Sequence, residues 1–507
     1  MRVLLTSQWS LLGISTFVII NLILIYIYLN IDINDLILIH DSKNENMMSE
    51  GYLLYNPHSG YHNQRISLQN AFLLAYWTNR TLVLPPILLG NAIPWHPFNL
   101  MIPLLGKAMK SFLNIQPYLK SIHEEESFIN DTLYYKVERI FVPWSFLVNF
   151  NTLKPHIKFI SDHEFEKRFH IDRYSFESWD NLTQITSIEF VKDNTRYAYG
   201  FYYFPTDPKN SNFTENMKRF DTTLDASQWI WNSPSSPRIL HFGSLFGSNR
   251  LYVSSEKDKL LFNKIQSAFI IKNSNLESIA TSITKKLGGF DQFLGIHART
   301  KDGMFAKKSD EIIANISMDI HNWVNYNDHD QEDLVTNSNL KEPKKKPFIS
   351  LGNITDSSFR IKTCLENNIK KGKKRKSSKS HNYPIIFMAT DRPNASQLPL
   401  YQPLYERFLC VFTLDDFPNE VSLLYKGKSI SSQSEKENHE NNKDKDDDDD
   451  DDSDPLYYNV FNRRCGHFML QFLDVLIASR GRKFFGTNRS TFSTFGDFLH
   501  QIQHINN

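Results

Sequence analysis

The chain has 507 residues, which is too long for a single hydrophobic core and predicts two domains. Its 57 basic and 56 acidic residues leave a net charge of +1, so no overall positive field favours nucleic acid as a partner. The three cysteines, Cys364, Cys410 and Cys465, allow at most one internal disulfide and lack the spacing of a metal site, which excludes a disulfide scaffold and a zinc protein.

An apolar run from Leu11 to Leu29 matches the ~20 residues that cross a bilayer. Arg2 precedes the run and Asp32 and Asp35 follow it, so the positive-inside rule places the N-terminus in the cytosol. A cleaved secretory signal is the alternative, but the run is long for one and no small-x-small cleavage site follows. We therefore expect a cytosolic tail at 1–10, a transmembrane signal anchor at 11–30 and a stem at 31–50, with the body of the chain in the lumen.

Eight potential N-glycosylation triplets agree with a lumenal body, although a chain rich in Asn, Ser and Thr also produces them by chance. They begin at Asn79, Asn130, Asn181, Asn212, Asn315, Asn353, Asn394 and Asn488.

A strand-loop-helix-strand unit opens the body of the chain. Apolar runs predict strands at 52–55 and 81–84, with a helix that begins at about Asn63. The loop before this helix carries Gly60 and His62. Because a helix N-terminus presents free backbone N–H groups, the loop is a candidate site for an anion or a sugar hydroxyl. The alternative is a simple capping loop with Asn63 as the N-cap residue.

A buried strand at 293–296 ends in two basic side chains. His297 and Arg299 are separated by one small residue and therefore point the same way. Ligands of open α/β sheets bind beyond the carboxyl ends of the strands, and arginine offers a rigid fork of donors for phosphate or carboxylate. Histidine can bind an oxygen or move a proton near neutral pH. The alternative is that Arg299 pairs with a structural carboxylate such as Asp302.

The C-terminal part combines a buried helix with a hydroxyl-rich loop. The stretch 460–479 is apolar nearly all round, which predicts a buried helix in which Asp474 needs a partner. That partner is either a base such as Arg480 or the amino groups of a ligand. A last strand follows, and the loop after it contains Ser490 and Thr491, which suit either a phosphate or a helix cap.

Two charged segments, at about 341–382 and 426–454, are expected to be disordered insertions. The first is lysine-rich, and the second contains seven consecutive aspartates, 446–452. A nuclear signal in the first segment and weak cation binding in the second are the alternatives.

Four separated motifs, in this order along the chain, resemble the GDP-fucose protein O-fucosyltransferase family and its wider fucosyltransferase relatives. The resemblance covers the body from about Gly51 to Phe498, apart from the charged insertions. The motifs are Gly60-Tyr61-His62-Asn63-Gln64 followed by Asn79-Arg80-Thr81-Leu82, then His297-Ala298-Arg299, then Ala389-Thr390-Asp391, and finally Asp474 with Ser490-Thr491-Phe492.

The resemblance implies a GT-B-like α/β architecture. In that fold two Rossmann-like domains face each other across a cleft, and the second domain holds most of the nucleotide sugar. We accordingly expect an N-terminal Rossmann-like domain on the acceptor side at 51–250. A C-terminal nucleotide-sugar domain is expected at 251–507.

The resemblance also implies roles for individual residues. Arg299 would grip the β-phosphate of GDP-fucose, His297 the ribose or the diphosphate, and Asp474 the edge of the guanine. The other expected donor contacts are Gly60 and Asn63 in the first loop, the latter near fucose and diphosphate, and Ser490, Thr491 and the Phe492 backbone on the phosphates. Arg299, Asn63 and His62 are the expected catalytic residues.

The catalytic base is the point at which this chain departs from some relatives. They carry a glutamate in the first loop, whereas the stretch 59–62 here contains no carboxylate. His62 is then the candidate base. The alternative is a reaction driven by departure of the leaving group.

The implied reaction is transfer of fucose from GDP-fucose, with inversion and without a metal or cofactor, to a Ser or Thr hydroxyl of a lumenal protein or to a glycan. A preorganised arginine would stabilise the charge that develops on the diphosphate. The enzyme would sit in the Golgi or endoplasmic reticulum membrane. Two alternatives stay open: a lectin-like or degenerate member that binds glycan without turnover, and a GT-B transferase that uses another nucleotide sugar.

The placement of Asn488 in the expected phosphate loop generates a prediction. We expect its Asn-x-Ser triplet to remain unglycosylated, because a glycan there would occupy the donor site. Peptide mass mapping of protein secreted from eukaryotic cells checks this, and a glycan on Asn488 would contradict the assignment of the loop.

Overall fold

The structure is a computed structural model that describes residues 50–121, 138–203, 211–232, 236–329, 357–372, 384–426 and 466–506. The expected cytosolic tail, the signal anchor at 11–30 and all but the last residue of the stem lie outside these ranges. Among the helices inside them, none is long and apolar enough to cross a membrane.

The first half of the chain alternates short strands and helices. In chain order they are β1 (Tyr52–Tyr55), α1 (Tyr61–Trp77), β2 (Thr81–Leu84), β3 (Ile87–Gly90), α2 (Phe98–Ser121), β4 (Arg139–Val142), β5 (Phe159–Ser161), α3 (Asp162–Phe169), α4 (Phe176–Thr183), β6 (Ile188–Val191), β7 (Tyr199–Tyr202), α5 (Ser211–Met217), β8 (Thr222–Asp225), β9 (Ile239–Phe242), β10 (Leu251–Tyr252) and α6 (Glu256–Ser267).

The second half repeats the alternation. Its elements are α7 (Ser274–Lys286), β11 (Leu294–Ala298), α8 (Gly303–Lys307), α9 (Ser309–His329), α10 (Ser357–Gly372), β12 (Ile386–Thr390), α11 (Gln402–Arg407), β13 (Val411–Phe412), α12 (Pro418–Lys426), α13 (Gly466–Ala478), β14 (Lys483–Gly486) and α14 (Thr491–Asn506).

Two parallel sheets organise these elements, as the predicted α/β class requires. The first sheet has the strand order β5-β2-β1-β9-β6, and the second has the order β13-β12-β11-β14. All their neighbouring strands are parallel. A small parallel sheet, β10-β7-β8, and an antiparallel pair, β3-β4, complete the first half. The central strands β1 and β11 are buried along their whole length, which is typical of strands covered on both faces.

Helix α1 joins the two halves. Fourteen of its seventeen residues are buried, so it is packed on nearly every side rather than along one stripe. Helices α6 and α14 both pack against it. One continuous hydrophobic cluster accordingly includes Phe72 from α1, Phe269 after α6, Phe472 from α13 and Phe495 from α14. The two sheets share a core.

Gly295 lets helix α13 lie directly on strand β11. A Cβ atom at this position would stand 1.8 Å from the carbonyl oxygen of Ala478 at the end of α13. No side chain fits in that space, because protein interiors are close-packed. The contact fixes α13, and with it Asp474, over the second sheet.

The expected disordered insertion at 341–382 is corrected by the structure, because residues 357–372 within it form α10. Ile361, Cys364 and Leu365 stand at helical spacing on one face and pack on the main core. The lysine-rich composition of the segment concealed this short apolar stripe. Cys364 also forms a disulfide with Cys410, which precedes β13. All but the first residue of the acidic segment at 426–454 lies outside the described residues.

The disulfide supplies a prediction about stability. A bridge across 46 residues restricts the unfolded chain, so replacing Cys364 and Cys410 by alanine is expected to cost about 2–4 kcal/mol of unfolding free energy. Urea denaturation of the wild type and the double variant measures the loss. A non-reducing peptide map serves as the control, and linkage of Cys465 to either partner would contradict the pairing.

Candidate functional site

The carboxyl ends of β11, β12 and β14 form one edge at which most of the predicted site residues meet. In the parallel register His297 of β11 pairs with Ala389 of β12 and with Gly486 of β14. The segments that follow the three strands therefore leave the sheet side by side. This is the edge at which open α/β sheets bind ligands.

The imidazole of His297 is buried and held from two sides. Its ring stacks on that of Phe492 with centroids 4.1 Å apart, and Nδ1 shares a 2.7 Å hydrogen bond with Oγ of Ser493. Burial, assisted by the charge of Arg299, lowers the pKa of His297 to about 3. The neutral ring suits a hydrogen bond to a ligand oxygen rather than proton storage.

Arg299 lies at the mouth of the edge and is paired within its own loop. Its backbone N–H donates to Oγ1 of Thr487 over 3.0 Å, which ties the ends of β11 and β14 together. Its guanidinium donates to both carboxylate oxygens of Asp302, at 3.1 and 2.8 Å. The structural pairing that the sequence left open is therefore present. The Asp302 side chain is 60% exposed, so exchanging it for a phosphate costs little.

Asp474 projects from α13 toward the same edge and lacks a full set of partners. Its carboxylate accepts a hydrogen bond from the backbone N–H of Thr390, at the end of β12. Its Oδ1 oxygen is buried and has no hydrogen-bond partner, although the residue as a whole is partly exposed. Burial, and next the charge of Asp415, raise the pKa of Asp474 well above its usual range. Arg480, the base considered as its partner, binds Glu277 instead.

The turn between β14 and α14 uses one of its hydroxyl groups as a helix cap and another as a contact with the first half of the chain. Ser490 is buried, and its Oγ accepts a 3.3 Å hydrogen bond from the N–H of Ser493, so it caps α14. Thr491 faces the first half of the chain, where its Oγ1 donates to Oδ1 of Asn63 over 3.2 Å. Phe492 is sandwiched between His297 and His62, 4.6 Å from the latter.

The loop before α1 supplies the first half of the site. Gly60 is the N-cap residue of α1, so the alternative reading of Asn63 as the N-cap is wrong by three positions. The side chain of Asn63 does not cap the helix. Its amide oxygen instead accepts a hydrogen bond from Thr491 in the second half of the chain. An added Cβ at Gly60 would meet no atom within 4 Å, which leaves open space beside the helix N-terminus.

His62 lies in an environment that does not suit the expected catalytic base. Its ring packs on Phe492 and Phe495, and both ring nitrogens are buried without a hydrogen-bond partner. Burial, with the charge of Arg65, lowers its pKa well below the usual value. A ring whose pKa is lowered in this way is a weak base, which does not suit it to accept the proton of an acceptor hydroxyl.

The sequence analysis assigned no role of their own to two residues of the site, Thr487 and Arg65. Thr487 bridges the two strand ends, because its Oγ1 also donates to the carbonyl of His297 over 3.0 Å. Arg65 is a buried guanidinium in the second turn of α1. The sequence did offer a sign of Arg65, because this charged residue directly follows the motif at 60–64 and lies within the predicted helix.

An open cleft of about 450 Å³ adjoins the Arg299 loop. It is bordered by α8, α9 and the turn before α14, with Phe305, Lys308 and Asn488 among its lining residues. Arg489, also in the lining, adopts a left-handed backbone with φ of 63°, which is strained for a bulky side chain. Within the described ranges, no group of three or more His, Cys, Asp or Glu side chains is placed to hold a metal ion.

Comparison with known proteins finds limited similarity. No family model matches the chain. A stretch of 47 residues is 45% identical to O-fucosyltransferase 30 of Arabidopsis thaliana, and it spans only 9% of this chain and 9% of that protein. Crystal structures of POFUT1 with GDP-fucose and with GDP align over 89% of this chain and 94% of theirs, at 12% and 13% identity with TM-scores of 0.34 and 0.33. A likeness at this level assigns no activity.

The environment of Asp474 predicts that its replacement by asparagine has opposite effects on the stability of the fold and on ligand affinity. The folded-state pKa is raised above the unfolded value of ~3.9, so the carboxyl progressively destabilises the fold as pH rises from about 4 through the folded-state pKa. Asp474→Asn is therefore expected to be more stable at pH 7, by about 1–3 kcal/mol, and to bind nucleotide less tightly.

Thermal unfolding from pH 4 to pH 8 measures the first effect, and nucleotide titration measures the second. Asp416→Asn is the matched control, since the carboxyl of Asp416 is also buried but pairs with Arg360. A lower melting temperature for Asp474→Asn at every pH would show that the carboxylate only supports the fold.

Proposed function

We propose that the protein is a fucosyltransferase that moves fucose from GDP-fucose to a hydroxyl group of a protein or a glycan. The observation that carries the proposal is the convergence of Arg299, neutral His297, the N-terminus of α14 and the unmatched carboxylate of Asp474 at one sheet edge. The ordered motifs of the sequence and the 47-residue match to O-fucosyltransferase 30 support it.

The buried oxygen of Asp474 supports guanine as the base of the donor. Guanine presents two adjacent N–H donors on its pairing edge, which match the two oxygens of a carboxylate. Oδ1 already lies buried without a donor, so the ligand would supply the hydrogen bond that the protein lacks. Uracil offers a single N–H on the corresponding edge and matches less well.

The diphosphate would lie over the ends of β11 and β14. There Arg299 can exchange Asp302 for a phosphate, and the free N–H groups of α14 point at the same edge. Asn63 and the open space at Gly60 border this position from the first half. The sugar would then stand between the two halves, close to the cleft beside Phe305.

In the proposed reaction the bond between the anomeric carbon and the diphosphate breaks, and a bond to the acceptor oxygen forms on the opposite face. The negative charge that develops on GDP falls on Arg299 and the helix N-terminus. Because His62 is buried and neutral, we infer that leaving-group stabilisation drives the step and that the acceptor proton passes to solvent. No metal enters this scheme.

Two observations support a lumenal location for the proposed enzyme. The Cys364–Cys410 disulfide is of a kind that persists in oxidising compartments. The apolar run at 11–30 supports a single-pass anchor of the type II orientation in the Golgi or endoplasmic reticulum.

A lectin-like protein without turnover is the second candidate, favoured by the pairing of Arg299 with Asp302. A lectin would bind glycan whether or not Arg299 is released from this partner. Transfer activity, by contrast, requires the guanidinium on the diphosphate.

The test combines nucleotide selectivity with turnover. The protein is titrated with GDP, UDP and CDP in the presence of EDTA, and a thermal shift is expected with GDP alone. Hydrolysis or transfer of GDP-fucose is then compared for the wild type and Arg299→Ala, which is expected to lose about 10²–10³-fold in turnover.

Arg482→Ala is the matched control. Arg482 immediately precedes β14 at the opposite edge of the same sheet and pairs loosely with Asp291 at 4.0 Å, so its loss leaves turnover unchanged. A preference for UDP would overturn the fucose proposal. Glycan binding without turnover in the wild type would establish the lectin-like alternative.

A further inference from the structure

Arg65 in α1 is a buried cation for which the protein supplies no counter-charge. The residue is 6% exposed, and its Nε has no hydrogen-bond partner. Among the described residues no carboxylate lies within ion-pair distance of its guanidinium. Its guanidinium lies over the ring of Phe495, whose centroid is 4.7 Å from Cζ.

Arg65 differs from three other buried arginines, each of which has at least one hydrogen bond or ion pair through its guanidinium. Arg173 pairs with Asp162. The guanidiniums of Arg80 and Arg250 donate to backbone carbonyl oxygens, over 3.0 Å to Trp229 and over 2.8 Å to Phe246. Leaving a buried charge without such partners is among the costlier arrangements in a folded protein.

Arg65 remains a cation at physiological pH despite this cost. Burial lowers its pKa, but only to about 10. The contact with Phe495 contributes attraction to the ring face, yet it leaves the N–H groups without acceptors. The position therefore carries a positive charge with unused hydrogen-bond donors.

The guanidinium lies where two helices begin. Side chains of a helix lean toward its N-terminus, so Arg65 reaches back to the first turn of α1, and Phe495 reaches back to the first turn of α14. The two first turns touch through the Asn63–Thr491 hydrogen bond. Both helices exceed eight residues, and their N-terminal dipoles add to the positive potential.

Further unused polar groups surround Arg65. The hydroxyl of Tyr61 and both ring nitrogens of His62 are buried without partners. The hydroxyl can donate, and a neutral imidazole donates through one nitrogen. Three neighbouring side chains on one helix face thus offer donors, and none of the three is anionic, which is the composition of an anion site.

We propose that Arg65 binds the diphosphate of the nucleotide sugar from the side of the first sheet, opposite Arg299. This inference rests on the proposed function and adds to it a second guanidinium that none of the recognised motifs designates. Arg299 is already neutralised by Asp302, whereas Arg65 is uncompensated and ready for an anion. As negative charge grows on the departing diphosphate, cations on two sides stabilise it more than one does.

The test measures which part of the nucleotide Arg65 recognises. Affinities for GDP, GMP, guanosine and inorganic pyrophosphate are compared by calorimetry for wild type, Arg65→Gln and Arg65→Lys. Arg65→Gln is expected to lose at least tenfold in affinity for GDP and pyrophosphate and to keep its affinity for guanosine. Arg65→Lys retains the positive charge but lacks the forked guanidinium. Its affinity for GDP and pyrophosphate is therefore expected to lie between those of the wild type and Arg65→Gln.

Arg80→Lys is the matched control, because Arg80 is a buried arginine of the same region that serves backbone carbonyls. It is expected to lower the melting temperature without changing the ratio of GDP to guanosine affinity. An equal loss for all ligands in Arg65→Gln, together with a lower melting temperature, would mean that Arg65 only anchors Phe495 and would overturn the inference.

The outcomes also separate this inference from the proposed function. If the wild type binds GDP and the ratio of GDP to guanosine affinity is unchanged in Arg65→Gln, the inference alone fails. If the wild type binds pyrophosphate through Arg65 and shows no preference for GDP over UDP, the anion site stands and the guanine assignment fails. If the wild type binds neither GDP nor pyrophosphate, both the inference and the proposed function fail.

Discussion

The parallel pairing of β11 with β12 on one side and β14 on the other is the constraint on which the candidate site depends. This register sets the end of each strand beside the next, so that segments almost two hundred residues apart in sequence emerge together. Thr487 secures the arrangement by accepting from the N–H of Arg299 and donating to the carbonyl of His297. Gly295 also contributes to the arrangement. Because it has no Cβ atom, helix α13, which carries Asp474, can pack directly on the sheet.

Two polar groups without protein partners lie at the candidate site, one in each half of the chain. Asp474 has a buried oxygen without a donor, and Arg65 has a buried Nε without an acceptor. Each is a cost to the free energy of folding that packing elsewhere offsets. A ligand with N–H donors at one end and a diphosphate at the other would satisfy both, which is the pattern of the proposed guanine nucleotide.

The two halves of the chain are coupled through a small aromatic contact. Phe492 of α14 stacks on His297 and meets His62 of α1, while Asn63 and Thr491 join the same two helices by a hydrogen bond. Residues of both halves therefore border the sheet edge. The same contact explains why His62 is buried: its ring is part of the packing between the halves, which removes it from the role of a base.

The sequence by itself determined the α/β class, the strands at 52–55 and 81–84, and the polar groups that follow each buried strand, because apolar runs and strand ends are local signals. It also identified the motifs that resemble a fucosyltransferase family. The tertiary structure alone decided that Arg480 pairs with Glu277 rather than with Asp474, that His62 is buried, and that Arg65 has no counter-charge among the described residues. It likewise revealed α10 and its disulfide inside a segment whose composition predicted disorder. The physical reason is that partnership and burial depend on contacts between segments distant in the chain, and no local pattern of residues encodes them.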